Sequence, residues 1–303
     1  MSWHKTDDAQ CESKSCSGIK TIIHTKPKDI GGFEVRRALP AIEARTVGPF
    51  IFFDQMGPAT LGAGEGIDVR PHPHIGLSTL TWLVEGEIMH RDSLGYAQPI
   101  RPGEVNWMTA GGGIVHSERT PDDVRARGHS LLGLQVWMAL PEDKQEIEPS
   151  FQHYSADSLP VIAQDGCKIT IVAGDAWGAQ SPVAVYSRTL YADIQMQAGA
   201  SLVMPSQHEE RALYVIKGSI TLGSEHIGAA TMVVLREGEE VPVASSGGAH
   251  LALIGGDKLQ TPRRLWWNFA HTDMAKIEDA KRRWKNGEFA DVPGEDESIA
   301  LPE

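Results

Sequence analysis

Four side chains in this sequence have the types and the spacing to hold a transition-metal ion. His72 and His74 lie in Arg70-Pro71-His72-Pro73-His74-Ile75-Gly76, and His116 and Glu118 lie in Gly111-Gly112-Gly113-Ile114-Val115-His116-Ser117-Glu118. Alternate residues of an extended strand point to one face, so each pair is a two-pronged clamp if its segment is a strand. Two such strands facing each other inside a barrel would bring three imidazoles and one carboxylate to a point. Around a divalent cation this donor set leaves a net charge of about +1. Such nitrogen-rich sites suit Fe, Ni, Cu, Mn, Co or Zn. Four protein ligands in an octahedral arrangement leave two adjacent positions open, enough for a chelating substrate or for substrate plus O2. A wholly structural zinc site would more usually be tetrahedral and closed. One His-x-His is a weak signal, because histidines on strands are often surface or core residues. Two clamps of matching parity point to a metal.

Strands must position these residues. Leu77-Ser78-Thr79-Leu80-Thr81-Trp82-Leu83-Val84 is rich in β-branched and aromatic residues and has no proline, so it reads as a strand following the first clamp. Glu85-Gly86-Glu87 reads as a hairpin turn with Ile88-Met89-His90 returning, and Arg101-Pro102-Gly103-Glu104 as a turn opening Val105-Asn106-Trp107-Met108. Upstream, residues 20–24, 32–37 and 47–54 read as strands. The glycine-rich residues 62–66 form a loop beside the clamp, since no helical pattern follows to make them a nucleotide fingerprint. A further strand at 130–140 is followed by a charged, proline-punctuated crossing, which marks a boundary between an N-terminal domain, 1–145, and a C-terminal domain, 146–303. Residues 1–18 are polar and read as a loose arm.

The second half repeats the style of the first, with strands expected at 168–173, 183–190, 201–204, 212–216, 219–222, 231–235 and 251–254, which suggests an internal duplication. Aligning Gly218 with Gly86 puts Met204 and Ser206 where His72 and His74 stand, so this copy is expected to lack a metal. His208, His226 and His250 then read as structural or surface residues. At the end of the chain the period changes. Thr272 or Asp273 can cap a helix over about 273–286, with Met274, Ile277, Ala280 and Trp284 at helical spacing, cations in its last turn and Gly287 stopping it.

The whole chain sets bounds on function. Its 303 residues suffice for two domains, and 41% hydrophobic with 22% charged residues is the composition of a soluble globular protein. A net charge of −12 disfavours direct binding to nucleic acid. Cys11, Cys16 and Cys167 are too few and too scattered for a disulfide framework, which suggests a reducing compartment. There is neither an apolar run of membrane-spanning length nor a signal core, so a cytoplasmic protein without membrane association is expected.

The two clamps with their glycines resemble the two cupin motifs, with His72, His74 and Gly86 fitting the first and Gly103, Gly113 and His116 fitting the second loosely. Where the first motif wants a glutamate this chain has Ser78 or Thr79, and the carboxylate appears instead as Glu118. That exchange, with His-Pro-His-Ile-Gly and His-Ser-Glu, is similar to the pirin family of bicupins, and the likeness runs over about residues 33–302. The resemblance implies an all-β fold: two cupin barrels of double-stranded β-helix (jelly-roll) type packed together, with a C-terminal α-helix, in a monomer. It implies one divalent transition-metal ion, Fe(II) first, on His72, His74, His116 and Glu118. Relatives include quercetin 2,3-dioxygenases, which implies a small aromatic flavonol-like substrate and O2, carbon monoxide release, and Glu118 as catalytic base for the flavonol proton. Trp82, Trp107 and Met108 are candidates for an apolar wall. The same family includes proteins described as iron-dependent redox sensors, nuclear in animal relatives, which implies as the alternative a non-catalytic module with a regulatory protein partner.

Overall fold

The computed structural model describes residues 18–29 and 34–302. Cys11, Cys16 and all of the proposed arm but Gly18 lie outside the described residues. The chain forms two compact units. Among the described residues one takes 18–26, 37–50 and 157–258, and the other takes 27–29, 34–36, 51–156 and 259–302. This departs from the single cut expected after residue 145, and the reason is strand pairing across long sequence separations. Ile19–His24 pairs antiparallel with Thr231–Leu235, while Ser150–Tyr154 pairs with Val105–Thr109. The C-terminal helix runs Met274–Lys285, capped by the Asp273 carboxylate accepting from the Ala275 amide at 2.8 Å. It buries Ile277 and Ala280 in one cluster with Ile75, Val115 and Phe269, and so belongs to the unit with the histidines.

That unit is a sandwich of two sheets. One is ordered Ser150–Tyr154, Val105–Thr109, Leu77–Glu85, His129–Ala139, Phe50–Leu61, Glu34–Leu39, Lys26–Asp29, and the other Asp68–His74, Ile114–Arg119, Ile88–Asp92, Ala97–Ile100. Leu77–Glu85 and Ile88–Asp92 therefore lie in different sheets. Glu85-Gly86-Glu87 is a crossing between sheets and not the hairpin turn expected, and residues 101–104 cross back in the same way. This weaving is the jelly roll. Met56, Leu83 and Leu131 of one sheet meet Ile88 and Ile100 of the other in a single apolar cluster, and each such side chain contributes roughly 1.5–3 kcal/mol by leaving water.

Two glycines make the turns beside the clamps. Gly76 has φ +69°, and a Cβ there would stand 1.9 Å from the Ala270 carbonyl oxygen. Gly111 has φ +49°, and its Cβ would stand 1.9 Å from that of Ile147. The Gly76 amide donates to the Gly111 carbonyl at 2.8 Å, tying the turns together. Gly76→Ala is expected to cost about 3 kcal/mol, from overlap with backbone plus a left-handed φ. Thermal melts should show a fall of roughly 6–12 °C. Gly64→Ala, at φ +91° with open space around it, is the control and should lose about 1 kcal/mol.

The other unit repeats the strand order. One path runs Ile19–His24, Thr231–Leu235, Glu210–Leu222, Ala249–Gly256, Thr189–Met196, Cys167–Ala176, Val161–Gln164, and Ser201–Met204 pairs with Val241–Ala244. Glu210–Leu222 is one strand of 13 residues where Lys217-Gly218 was expected to turn. Its register slips between Val215 and Lys217 instead, a bulge that bends the strand without ending it. The strand expected at 183–190 lies later, at Thr189–Met196. Among the described residues no helix is long and apolar enough to cross a membrane.

Candidate metal centre

His72 and His74 end the strand Asp68–His74, and His116 and Glu118 sit in Ile114–Arg119. These strands are antiparallel neighbours in one sheet, with His116 directly opposite His72. The clamps thus meet side by side, and not across the barrel as expected. Opposite residues of adjacent strands share a face, so the histidines converge all the same. Between His116 and Glu118 the register slips, since Glu118 pairs with Val69. Arg70 and Pro71 form the bulge, and Pro71 has no amide to offer the ladder. Along the other edge of Ile114–Arg119 the register is regular, with His116 opposite Asp92 and Glu118 opposite His90.

The donor atoms of His72, His74 and His116 all lie within 4.8 Å of one another, and all three residues are buried. The Nε2 atoms of His74 and His116 are 3.1 Å apart. Two nitrogens bound at right angles to one ion at about 2.1 Å would stand about 3 Å apart, so the pair fits a shared cation. His72 Nδ1 donates to the Arg70 carbonyl at 2.9 Å, which leaves its Nε2 with a free lone pair. Burial lowers the His72 pKa to about 4. Burial, and then repulsion from His72, hold His74 and His116 well below the ordinary histidine value. Three neutral imidazoles with convergent lone pairs are what a metal ion requires.

Glu118 is not among the converging atoms. It is partly exposed, and its carboxylate accepts a hydrogen bond from Thr81 Oγ1 at 3.1 Å. Thr81 Oγ1 is also 2.8 Å from the Gln135 side-chain amide. With Gln135 Oε1 at that distance one hydroxyl proton would be shared between two acceptors; exchanging the amide's O and N lets the Gln135 NH2 donate to Thr81, which then donates to Glu118. Burial raises the Glu118 pKa, while His90 and the Thr81 hydroxyl pull the other way.

Register shows what faces these groups from the opposite sheet. Trp137 and Met108 lie opposite Thr79, and Gln135 and Asn106 opposite Thr81. These residues share the inner face, giving one apolar row and one polar row. Trp82 and Trp107, expected to form the wall, have the other parity and face away. The aromatic wall is Trp137, edge-on to His74 at 5.1 Å and stacked on Phe52 at 3.9 Å. Sequence reading also passed over His90 and Asp92, whose i, i+2 spacing in Ile88–Asp92 was the available signal.

The same register arithmetic applies to the second unit. Thr221 pairs with Ala244 as Met89 pairs with Arg119, and Val241 pairs with Met204 as His116 pairs with His72. Met204, Ser206, Val241 and Val243 therefore occupy the positions of His72, His74, His116 and Glu118, and Met204, Val241 and Val243 belong to the apolar core. His208 donates to the Asp175 carbonyl at 2.9 Å, His250 pairs with Asp193 at 2.6 Å, and His226 is exposed. Among the described residues the only convergent group of possible ligands is the triad of the first unit.

A family model described as Pirin matches residues 32–138, and one described as Pirin C-terminal cupin domain matches residues 191–290. A Pirin-like protein of Caulobacter vibrioides is 43% identical over 290 residues, 94% of this chain and 100% of that protein. The Pirin of Homo sapiens is 31% identical over 250 residues, 80% of this chain and 83% of that one. Among solved structures, a quercetin 2,3-dioxygenase from Acinetobacter baumannii is 37% identical, with a TM-score of 0.88 over 93% of this chain and 95% of that chain.

Proposed function

This chain belongs to the pirin family, and from that premise we propose that it is a metal-dependent dioxygenase of the quercetin 2,3-dioxygenase type. The observation that carries the reading is the convergence of three neutral imidazoles beside one carboxylate made more basic by burial. His72, His74 and His116 would hold one divalent transition-metal ion, Fe(II) first, with Ni, Cu, Mn, Co or Zn as the alternatives this donor set accepts. Glu118 would be the fourth ligand if it turned inward, and on Thr81 it is placed to act as a base. When bound, the ion would supply Lewis acidity for a flavonol's 3-oxygen and a place for O2.

The chain's own residues supply the rest. The Glu118 carboxylate accepts the proton of the flavonol 3-hydroxyl, and Thr81 holds it in place. Trp137, Phe52 and Met108 present an apolar wall to a planar ring system and exclude water. Each turnover consumes one O2 and releases one carbon monoxide, whose carbon and oxygen are the flavonol's own C3 and 3-oxygen, so both atoms of O2 stay in the ring-opened product.

The test is a headspace carbon monoxide assay on protein reconstituted with Fe(II) and supplied with quercetin. One carbon monoxide per O2 consumed, at a rate well above that of free metal, is expected. Glu118→Gln should lower kcat at least about 100-fold, the usual size of a general-base contribution, a more severe loss than that of metal content. The second reading, a non-catalytic redox-responsive regulator, is favoured by the enclosure of the triad, with His72 6%, His74 1% and His116 1% exposed. Turnover no faster than free metal, together with partner capture that differs between reduced and oxidised protein, would replace the first reading with the second.

A further inference from the structure

Behind His116 stands a chain of groups that the proposed reaction does not use. His116 Nδ1 is 3.3 Å from His90 Nδ1. His90 Nε2 is 3.0 Å from Asp92 Oδ2. Asp92 Oδ1 accepts the amides of Leu94 at 2.9 Å and Tyr96 at 3.1 Å. His90 is stacked on Phe151, ring centres 4.4 Å apart and 15° from parallel. His90 and Asp92 are 4% and 0% exposed, so water does not compete.

We propose that Asp92 and His90 are positioning residues that set the tautomer of His116 and so aim its Nε2 lone pair at the metal position. This rests on the metal reading above. The two backbone amides fix Asp92 Oδ1, which leaves Oδ2 as an acceptor facing His90 Nε2. An acceptor there requires His90 to carry a proton on Nε2, and the neutral ring then presents a lone pair at Nδ1. That lone pair in turn requires the His116 proton on Nδ1, and Nε2 of His116 is then free to bind a cation. His72 is set independently, by the Arg70 carbonyl. A second histidine used as the orienting partner extends the usual carboxylate–histidine–metal arrangement by one ring.

The proposal makes Asp92→Asn a reversal and not a mere loss. The asparagine oxygen must stay on the Leu94 and Tyr96 amides, so its NH2 is turned towards His90. His90 then offers a lone pair at Nε2 and carries its proton on Nδ1. His116 is driven to carry its proton on Nε2, where it blocks the metal. In the chelator-treated protein, long-range 1H–15N spectra of the imidazole rings should show His116 protonated on Nδ1 and His90 on Nε2, and both reversed in Asp92→Asn. Competition with a chromogenic chelator should show Ni2+ binding weakened about 10- to 100-fold, with an unchanged circular dichroism spectrum. If Asp92→Asn does not fold, His90→Phe keeps the stack on Phe151, and should give a mixed His116 tautomer and a loss of affinity in the same range.

A wild type with the His116 proton on Nε2 overturns the proposal. So does a folded variant whose Ni2+ affinity stays within twofold. A purely structural role would lower the melting temperature without moving the tautomers. Because the tautomers are read without metal, the two failures are separable: a wild type that binds no Ni2+ sinks the metal reading, whereas an Asp92→Asn protein that binds it normally sinks this one.

Discussion

Replacing His74 with alanine is expected to take the metal content from one equivalent per chain to less than a tenth. Ion binding at a four-ligand site is worth roughly 10–16 kcal/mol at neutral pH, or about 2.5–4 kcal/mol per ligand. Losing one ligand then weakens the ion by about 100- to 1,000-fold. His74 is the ligand to test because its Nε2 faces that of His116 at 3.1 Å and its other neighbour is an apolar wall that cannot substitute. The barrel should survive, since its cohesion lies in apolar clusters away from the triad. The chelator-treated variant is expected to melt within about 5 °C of the chelator-treated wild type, the cavity left by the ring being partly offset by removal of a desolvated polar group. Elemental analysis after reconstitution decides the matter. A full equivalent of metal in the variant would remove His74 from the site.

Acid should destabilise the metal-free protein before its carboxylates titrate. His72, His74 and His116 are neutral when folded, because burial depresses all three. In the unfolded chain each ring takes a proton near pH 6.5. Below that pH the unfolded state binds more protons than the folded one, so stability falls as pH falls. For His72 the loss opens near pH 6.5 and stops growing near its folded value of about 4, reaching roughly 3 kcal/mol. Burial holds the other two well below the ordinary histidine value, so they add to the loss in the same direction. Near pH 5 His72 alone gives a slope of about 1.4 kcal/mol per pH unit, and His74 and His116 steepen it. Urea titrations of the chelator-treated protein between pH 7 and pH 5 measure it, and His72→Leu should reduce the slope by about one proton. A flat profile over that range would mean the triad is solvated.

The part of the site that sequence revealed is the part that strand parity encodes. His72, His74 and His116 could be placed on a common face from spacing alone, because period two survives in any strand, whatever sheet it joins. Which strand lies beside which could not be read. Spacing alone therefore sets the clamps facing each other across a barrel, although they are neighbours in one sheet. The same ignorance of pairing made Glu85-Gly86-Glu87 look like a hairpin turn, since a tight turn and a crossing between sheets use the same residues. His90 and Asp92 gave only a lone i, i+2 pair, whose meaning depends on the pairing of Glu118 with His90 and His116 with Asp92. The helix was legible to within a residue because capping and the 3.6 period are local. Its docking on Ile75 and Val115 was not, because an amphipathic pattern reports that a face is buried and not against what.

The strand Ile114–Arg119 also has an outer face, and it is tied to the end of the chain. Ser117 Oγ donates to Glu295 Oε1 at 2.7 Å, Arg119 Nε donates to the same carboxylate at 2.9 and 3.1 Å, and the Ile299 amide donates to the Pro71 carbonyl at 2.9 Å. During synthesis, then, the strands Ile114–Arg119 and Asp68–His74 leave the ribosome about 180 and about 230 residues before their outer faces can be covered, several seconds at least at ordinary translation rates. Until residues 259–302 arrive, Ile75 and Val115 lie open to water and the ligand-bearing strands lack the bonds from Glu295 and Ile299. A nascent chain should therefore acquire its metal late, once residues 259–302 have docked. Ribosome-bound chains halted before residue 259 would be the most exposed to chaperones and to proteolysis between Asp68 and Arg119.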